Sequence, residues 1–238
     1  MKKRAALYKG DDDTMPKHVH IPRTLYFVEA NIGCGKSTLL AEIAAASPSC
    51  RCIPEPVDAW TNHLTRFSSS MPYGSNWALP LQALILSTKI ERLLGELATL
   101  AEHETEIVVE RSIKSSDLFG TAMLLDADDC CAYKTLSARY QTELAAVLKE
   151  ARVEKVHFLY LRADPATCMA RKCVRDRACE KDVALEYMTK LHGIHEAEFG
   201  RGFRVVSHLN AVCPISVIDA NGSRQQVLNE TMKILLGL

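Results

Sequence analysis

An apolar run, Leu25-Tyr-Phe-Val-Glu29, leads without a break into Ala30-Asn-Ile-Gly-Cys-Gly-Lys-Ser-Thr38 and then into the helix-forming Leu39-Leu-Ala-Glu-Ile43. A strand that feeds a glycine-bearing turn and then a helix commits a chain to an α/β sheet. It also turns several backbone N–H groups and the positive end of a helix toward one point, which is an anion cradle. Asn31, Ile32, Gly33, Cys34, Gly35, Lys36, Ser37 and Thr38 make up this loop. Gly33 and Gly35 stand where backbone must approach phosphate, Lys36 can neutralise the β- and γ-phosphates, and Ser37 offers a hydroxyl to magnesium. Ala30 departs from G-x-x-x-x-G-K-[ST] by a methyl group at the strand exit. Nucleotide binding follows from the loop, but the phosphoryl acceptor does not, because GTPases, motor ATPases and small-molecule kinases share it.

Further β-rich runs at Arg51–Ile53, Glu106–Glu110, Lys155–Leu161 and Pro214–Asp219, with helical patterns between them, predict a parallel sheet covered on both faces. The chain of 238 residues is read as one domain from residue 21 to 238, after a disordered arm over residues 1–20. Twenty-nine basic residues balance twenty-nine acidic ones, so no global field draws the protein to nucleic acid or an anionic membrane. No apolar run approaches the ~20 residues that span a bilayer. Nine cysteines without a paired C-x-x-C frame read as reduced thiols in a cytoplasmic protein. The longest helix is predicted over Leu79–Leu100, where Gln82, Ile85 and Lys89 share one side.

Three later stretches carry chemistry. In Ile53-Pro-Glu-Pro-Val-Asp-Ala-Trp60, Glu55 follows a strand, at the sheet edge where α/β proteins place their ligands. Val108-Val-Glu-Arg-Ser112 ends another strand with an acid beside a base, and Arg171, Arg175 and Arg177 cluster near a helix end. Alone, the acid–base pair could be a structural ion pair and the arginines a solvated helix face.

Taken in order, these stretches resemble the deoxynucleoside kinase family. The likeness runs from about Leu25 to the C-terminus, through EANIGCGKSTLL, EPVDAW, the Trp77 to Gln82 spacing, VVERS, the arginine cluster, LEYMTKLH with His195-Glu196, and Ile218-Asp-Ala-Asn221. It implies a P-loop kinase fold, a five-stranded parallel sheet with helices on both faces and an arginine-rich lid. It also implies transfer of a phosphoryl group from ATP, with Mg2+, to a deoxynucleoside 5′-hydroxyl, and a homodimer built through long helices. By the same resemblance Glu55 is the general base and Arg111 keeps it ionised, while Glu110 reaches magnesium with Ser37. Arg171, Arg175 and Arg177 close over ATP, and Asp219 lies on the donor side. Gln82 reads the base, Trp60 walls the pocket, Phe119 stacks, and Tyr73 with Glu180 binds the 3′-hydroxyl.

The departures from the pattern bear on the acceptor. Tyr73 lies closer to Trp77 than is usual, and Ile113-Lys-Ser-Ser-Asp-Leu-Phe119 is one residue short, so the selectivity position falls on Ser116 or Asp117. Ile85 and Lys89 fill the two positions on the long helix that go with base preference. A bulky Ile85 disfavours purines, which leans the reading to thymidine and deoxycytidine. A thymidylate-type monophosphate kinase is the main rival, although its Glu-Pro-Gly and Asp-Arg are here Glu55-Pro-Val57 and Glu110-Arg111. A non-catalytic nucleotide-binding regulator is the other alternative.

Overall fold

In the computed structural model the described residues are 22–70, 76–122, 126–206, 209 and 211–238. The expected N-terminal arm and Tyr73 lie outside them. Six strands form the sheet: β1 (Arg23–Glu29), β2 (Cys50–Ile53), β3 (Glu106–Glu110), β4 (Val153–Arg162), β5 (Phe203–Val206) and β6 (Ala211–Asp219). Their order is β2-β3-β1-β4-β6-β5. The five predicted strands pair in parallel, and β5 is an addition, antiparallel to β6 at the edge. It is four residues long, too short for a clear alternation. Pro214 in β6, which has no N–H to donate, faces Phe203 before the parallel pairing with β4 begins at Ile215.

The central strand explains its own composition. Leu25 and Phe27 pack on one face of the sheet, while Tyr26, Val28 and Ala30 pack on the other. All five are buried, so the strand reads as a continuous apolar run rather than an alternating one. One face is covered by α1 (Lys36–Ala46), α7 (Leu185–Phe199) and α8 (Arg224–Leu235). The other carries α3 (Ala78–Ala98) and α5 (Ala127–Glu150). No helix among the described residues is long and apolar enough to cross a membrane.

Helix α3 serves two environments. Leu86, Ile90, Leu93 and Leu97 sit in the main core, whereas Ala78 and Leu81 join Trp60 and Phe67 in a smaller cluster beside the sheet's carboxyl edge. Gln82 lies beside that smaller cluster, and Lys89, between Leu86 and Ile90 of the main core, reaches Glu55 at the same edge. The remaining helices, α2 (Thr61–Ser68), α4 (Ile113–Ala122) and α6 (Pro165–Arg175), surround the same edge. Register brings it together: Val28 stands opposite Glu110 and Glu29 opposite Tyr160.

Candidate active site

The loop after β1 has the predicted geometry. Gly33 and Gly35 adopt φ of 77° and 105°, and α1 opens at Lys36. Gly33 is needed twice over, since a Cβ there would lie 2.3 Å from the Cys168 carbonyl oxygen of α6, whereas one on Gly35 would meet nothing within 4 Å. Gly33→Ala is therefore expected to cost more than about 3 kcal/mol in urea unfolding, and Gly35→Ala only the backbone strain of roughly 1–2 kcal/mol. The Ala30 methyl is buried in the core and does not enter the loop. Its carbonyl accepts from Lys36 Nζ at 3.3 Å, and the Asn31 carbonyl does so at 3.0 Å. Burial, reinforced by the Arg111 cation, pulls the Lys36 ammonium down to about 8 against the pull of Glu110 and Glu55. Asn31 has a structural part: its amide donates to Met188 O at 2.8 Å and its side-chain oxygen accepts from Ile32 N–H.

Beside the loop lies a centre of alternating charge. Glu55 Oε2 accepts from Arg111 Nη1 at 2.7 Å and Glu55 Oε1 from Lys89 Nζ at 3.3 Å, with the Glu55 side chain only 4% exposed. Burial would raise its carboxyl, but Arg111, Lys89 and Lys36 outweigh that and hold it below the usual carboxylate range. Glu110 Oε1 accepts from Ser37 Oγ at 3.0 Å, and its other oxygen lies 3.5 Å from Glu55 N–H. A hydroxyl and a carboxylate of this kind are hard oxygen donors, the set that suits magnesium.

A cavity of about 240 Å³ opens from this centre. Trp60, Gln82, Ile85, Lys89, Ser116 and Phe119, the residues expected on the acceptor side, all line it. The Trp60 indole N–H donates to Thr88 Oγ1 at 2.7 Å, which fixes the ring against α3. Phe119 lies under the Arg111 guanidinium, 4.9 Å from its ring centroid, with its edge on His195. Of the two candidates in the short run, Ser116 lines this cavity and Asp117 faces α5, where it accepts from Tyr133 and Ser137 and pairs with Lys114. A second cavity of about 680 Å³ lies across the loop, and Gly33, Gly35, Thr38 and Arg175 line both.

The family model described as Deoxynucleoside kinase matches residues 26–235. The chain belongs to the deoxynucleoside kinase family. It is 29% identical over 227 residues to the thymidine kinase of Ictalurid herpesvirus 1 (strain Auburn), covering 90% of this chain and 87% of that protein. It is 27% identical over 209 residues to the human mitochondrial thymidine kinase 2, with 87% and 74% covered. Against chicken deoxycytidine kinase 2 the identity is 29% over 217 residues, with 82% and 81% covered. Among solved structures, deoxyadenosine kinase from M. mycoides, with products dCMP and a flexible dCDP bound, superposes with a TM-score of 0.67 at 19% identity. That match covers 90% of this chain and all of the other, and carries the fold. The protein is thus a kinase that phosphorylates deoxynucleosides, and its membership implies ATP as the phosphate donor.

The kinase spreads its three arginines over the two cavities, with Arg175 between them. Arg171 donates from α6 to the carbonyls of Ala220 (2.7 Å), Gly222 (3.3 Å) and Asn221 (3.5 Å) and lines the larger one. Arg175 and Arg177 line the smaller, and both pair with Glu180. Asp176 takes the left-handed conformation between them, a turn that aspartate tolerates better than most residues, and so both arginines face the same carboxylate. Lys172 ties the lid down through Val183 O at 3.0 Å. Asp219 ends β6 and accepts from Asn221, which orders the loop that Arg171 grips.

Two residues at the site were not singled out in the sequence. Glu29, fully buried, accepts from Ser112 N–H at 2.8 Å, from Ser112 Oγ at 2.5 Å and from Ser115 Oγ. It thereby anchors the start of α4 and the Arg111 that precedes it, which sits at φ 61°. The signal was an acid closing an otherwise apolar strand. Tyr187 also lines the small cavity, and its buried hydroxyl has no hydrogen-bond partner among the described residues. Nothing in the helical pattern around it distinguished that tyrosine from a core aromatic.

Proposed function

We propose that the enzyme transfers the γ-phosphoryl of ATP to the 5′-hydroxyl of a pyrimidine deoxynucleoside, with Glu55 as the general base. The observation that carries this reading is the anionic Glu55 carboxylate in the wall of a small cavity whose far end is the phosphate loop. The nucleoside enters the smaller cavity and ATP the larger. The 5′-hydroxyl donates to Glu55, which takes its proton as the oxygen attacks the γ-phosphorus and the bond to the bridging oxygen breaks to release ADP, while Lys36 and the lid arginines Arg175 and Arg177 neutralise charge on the phosphates. Arg171, held by the 220–222 carbonyls, supports the donor side with Asp219. Ser37 and Glu110 would hold magnesium, which when bound offsets phosphate charge.

Base choice rests on the smaller cavity. Gln82 offers an amide for bidentate reading, Trp60 and Phe119 supply flat walls, Ile85 narrows the space, and Ser116 puts a hydroxyl rather than a carboxylate at the selectivity position. The thymidine and deoxycytidine kinases among its relatives agree with a pyrimidine. Glu180 serves the 3′-hydroxyl in this reading, with Tyr73 as its partner. One domain from residue 21 onward, a cytoplasmic location and a homodimer through α3 complete it.

With ATP and magnesium, a panel of the four deoxynucleosides and their ribo-counterparts is expected to give the highest kcat/KM for thymidine or deoxycytidine. A higher value for deoxyadenosine or deoxyguanosine would sink the base preference. Turnover of a deoxynucleoside monophosphate, with none of the nucleoside, would sink the acceptor.

A further inference from the structure

Lys89 occupies a position that, by family resemblance, belongs to base reading, yet its ammonium is turned elsewhere. Its three donors are the constraint: one goes to Glu55 Oε1 at 3.3 Å and a second to the Ser112 carbonyl at 3.1 Å, with the side chain 9% exposed. Arg111 meanwhile holds the other oxygen of the same carboxylate at 2.7 Å. Each oxygen of Glu55 thus has its own cation, one from α3 and one from the turn before α4. We propose that Lys89 is a positioning residue for the general base, clamping the Glu55 carboxylate together with Arg111, rather than a reader of the nucleobase. This rests on Glu55 being the base.

The physical reasoning is local. A carboxylate held through one oxygen only, as Arg111 holds Glu55, can still rotate about its last bond, whereas one pinned at both oxygens presents a fixed lone pair, and orientation of a proton acceptor is worth rate. The Ser112 carbonyl fixes Lys89 in turn, and Ser112 is itself held by Glu29 through its N–H and hydroxyl. The clamp therefore ties α3 to the start of α4 across the base. The charged groups facing Glu55 are Lys89 from α3, Arg111 from the end of β3 and Lys36 from α1. Glu110 is the opposing carboxylate, and Arg175, Arg177 and Glu180 of the lid share the cavity. Removing one of the two cations that pin it leaves the carboxylate free to turn, which slows the chemical step without changing how the nucleoside is held.

The test is kcat and KM for thymidine and deoxycytidine in wild type, Lys89→Met, Lys89→Gln and Lys89→Arg. Lys89→Met keeps the apolar stem without charge, and Lys89→Gln can still donate to Ser112 O. Lys89→Met and Lys89→Gln are expected to lose about tenfold in kcat at neutral pH, with KM for each nucleoside and the ratio of kcat/KM between the two unchanged, and Lys89→Arg, which can still pin the carboxylate, is expected to recover most of the loss. A wild-type kcat in Lys89→Met and Lys89→Gln, with a raised KM and a changed nucleoside ratio, would overturn the clamp in favour of base reading. The outcome is separable from the base assignment through Glu55→Gln: full turnover there removes the base itself, whereas an inactive Glu55→Gln beside a Lys89→Met with wild-type kcat removes only the clamp.

Discussion

Glu55→Gln is expected to lower kcat by about 10³-fold, or ~4 kcal/mol in the barrier, with ATP affinity within about twofold of wild type. The amide keeps the shape of the carboxylate and can accept from Arg111, but it cannot take the 5′-hydroxyl proton. Its cost in stability is real, because Arg111 and Lys89 lose the charge that both face. Nucleotide binding by calorimetry on the folded variant separates that cost from catalysis. A Glu55→Gln enzyme with full turnover would end the base assignment, and the phosphate loop would then be serving some other chemistry.

Glu29→Ala is expected to cost about 3 kcal/mol, a fall in Tm of roughly 10 °C, and to lower kcat as well. Three buried donors, the Ser112 N–H and the hydroxyls of Ser112 and Ser115, lose their acceptor at once. The same change frees the first turn of α4, which carries Ser116 and Phe119 and follows directly on Arg111. Glu29→Gln retains one acceptor oxygen and is expected to fall between. Differential scanning calorimetry within roughly 2 °C of wild type for Glu29→Ala would show that the anchor is dispensable.

The site was legible to unequal degrees. The loop from Asn31 to Thr38 came through because its function is a backbone function: glycines at fixed spacing, a strand before and a helix after, all encoded within a dozen residues. Gln82, Ile85 and Lys89 were placed on one side of α3 by helical spacing alone, and all three line the cavity. What Lys89 touches was not legible, since Glu55 lies 34 positions away and its approach depends on how α3 leaves the core. Which of Ser116 and Asp117 meets the cavity turned on one residue of register: Ser116 lines it, while Asp117 faces Tyr133 and Ser137 on α5. The antiparallel β5 was missed because four edge residues carry too little pattern to separate from a loop.

Ala30 shows where the division falls. From the order of residues came the α/β class, the phosphate loop and the set of acids and bases that a phosphoryl transfer needs, because local conformation and periodicity are properties of neighbours along the chain. The tertiary structure decided that the Ala30 methyl is buried in the core while its carbonyl holds Lys36, that Glu55 has two cations, and that the arginines are shared between two cavities. Those are contacts between elements far apart in sequence. Their geometry is set by sheet order and helix packing, which no short stretch of residues contains.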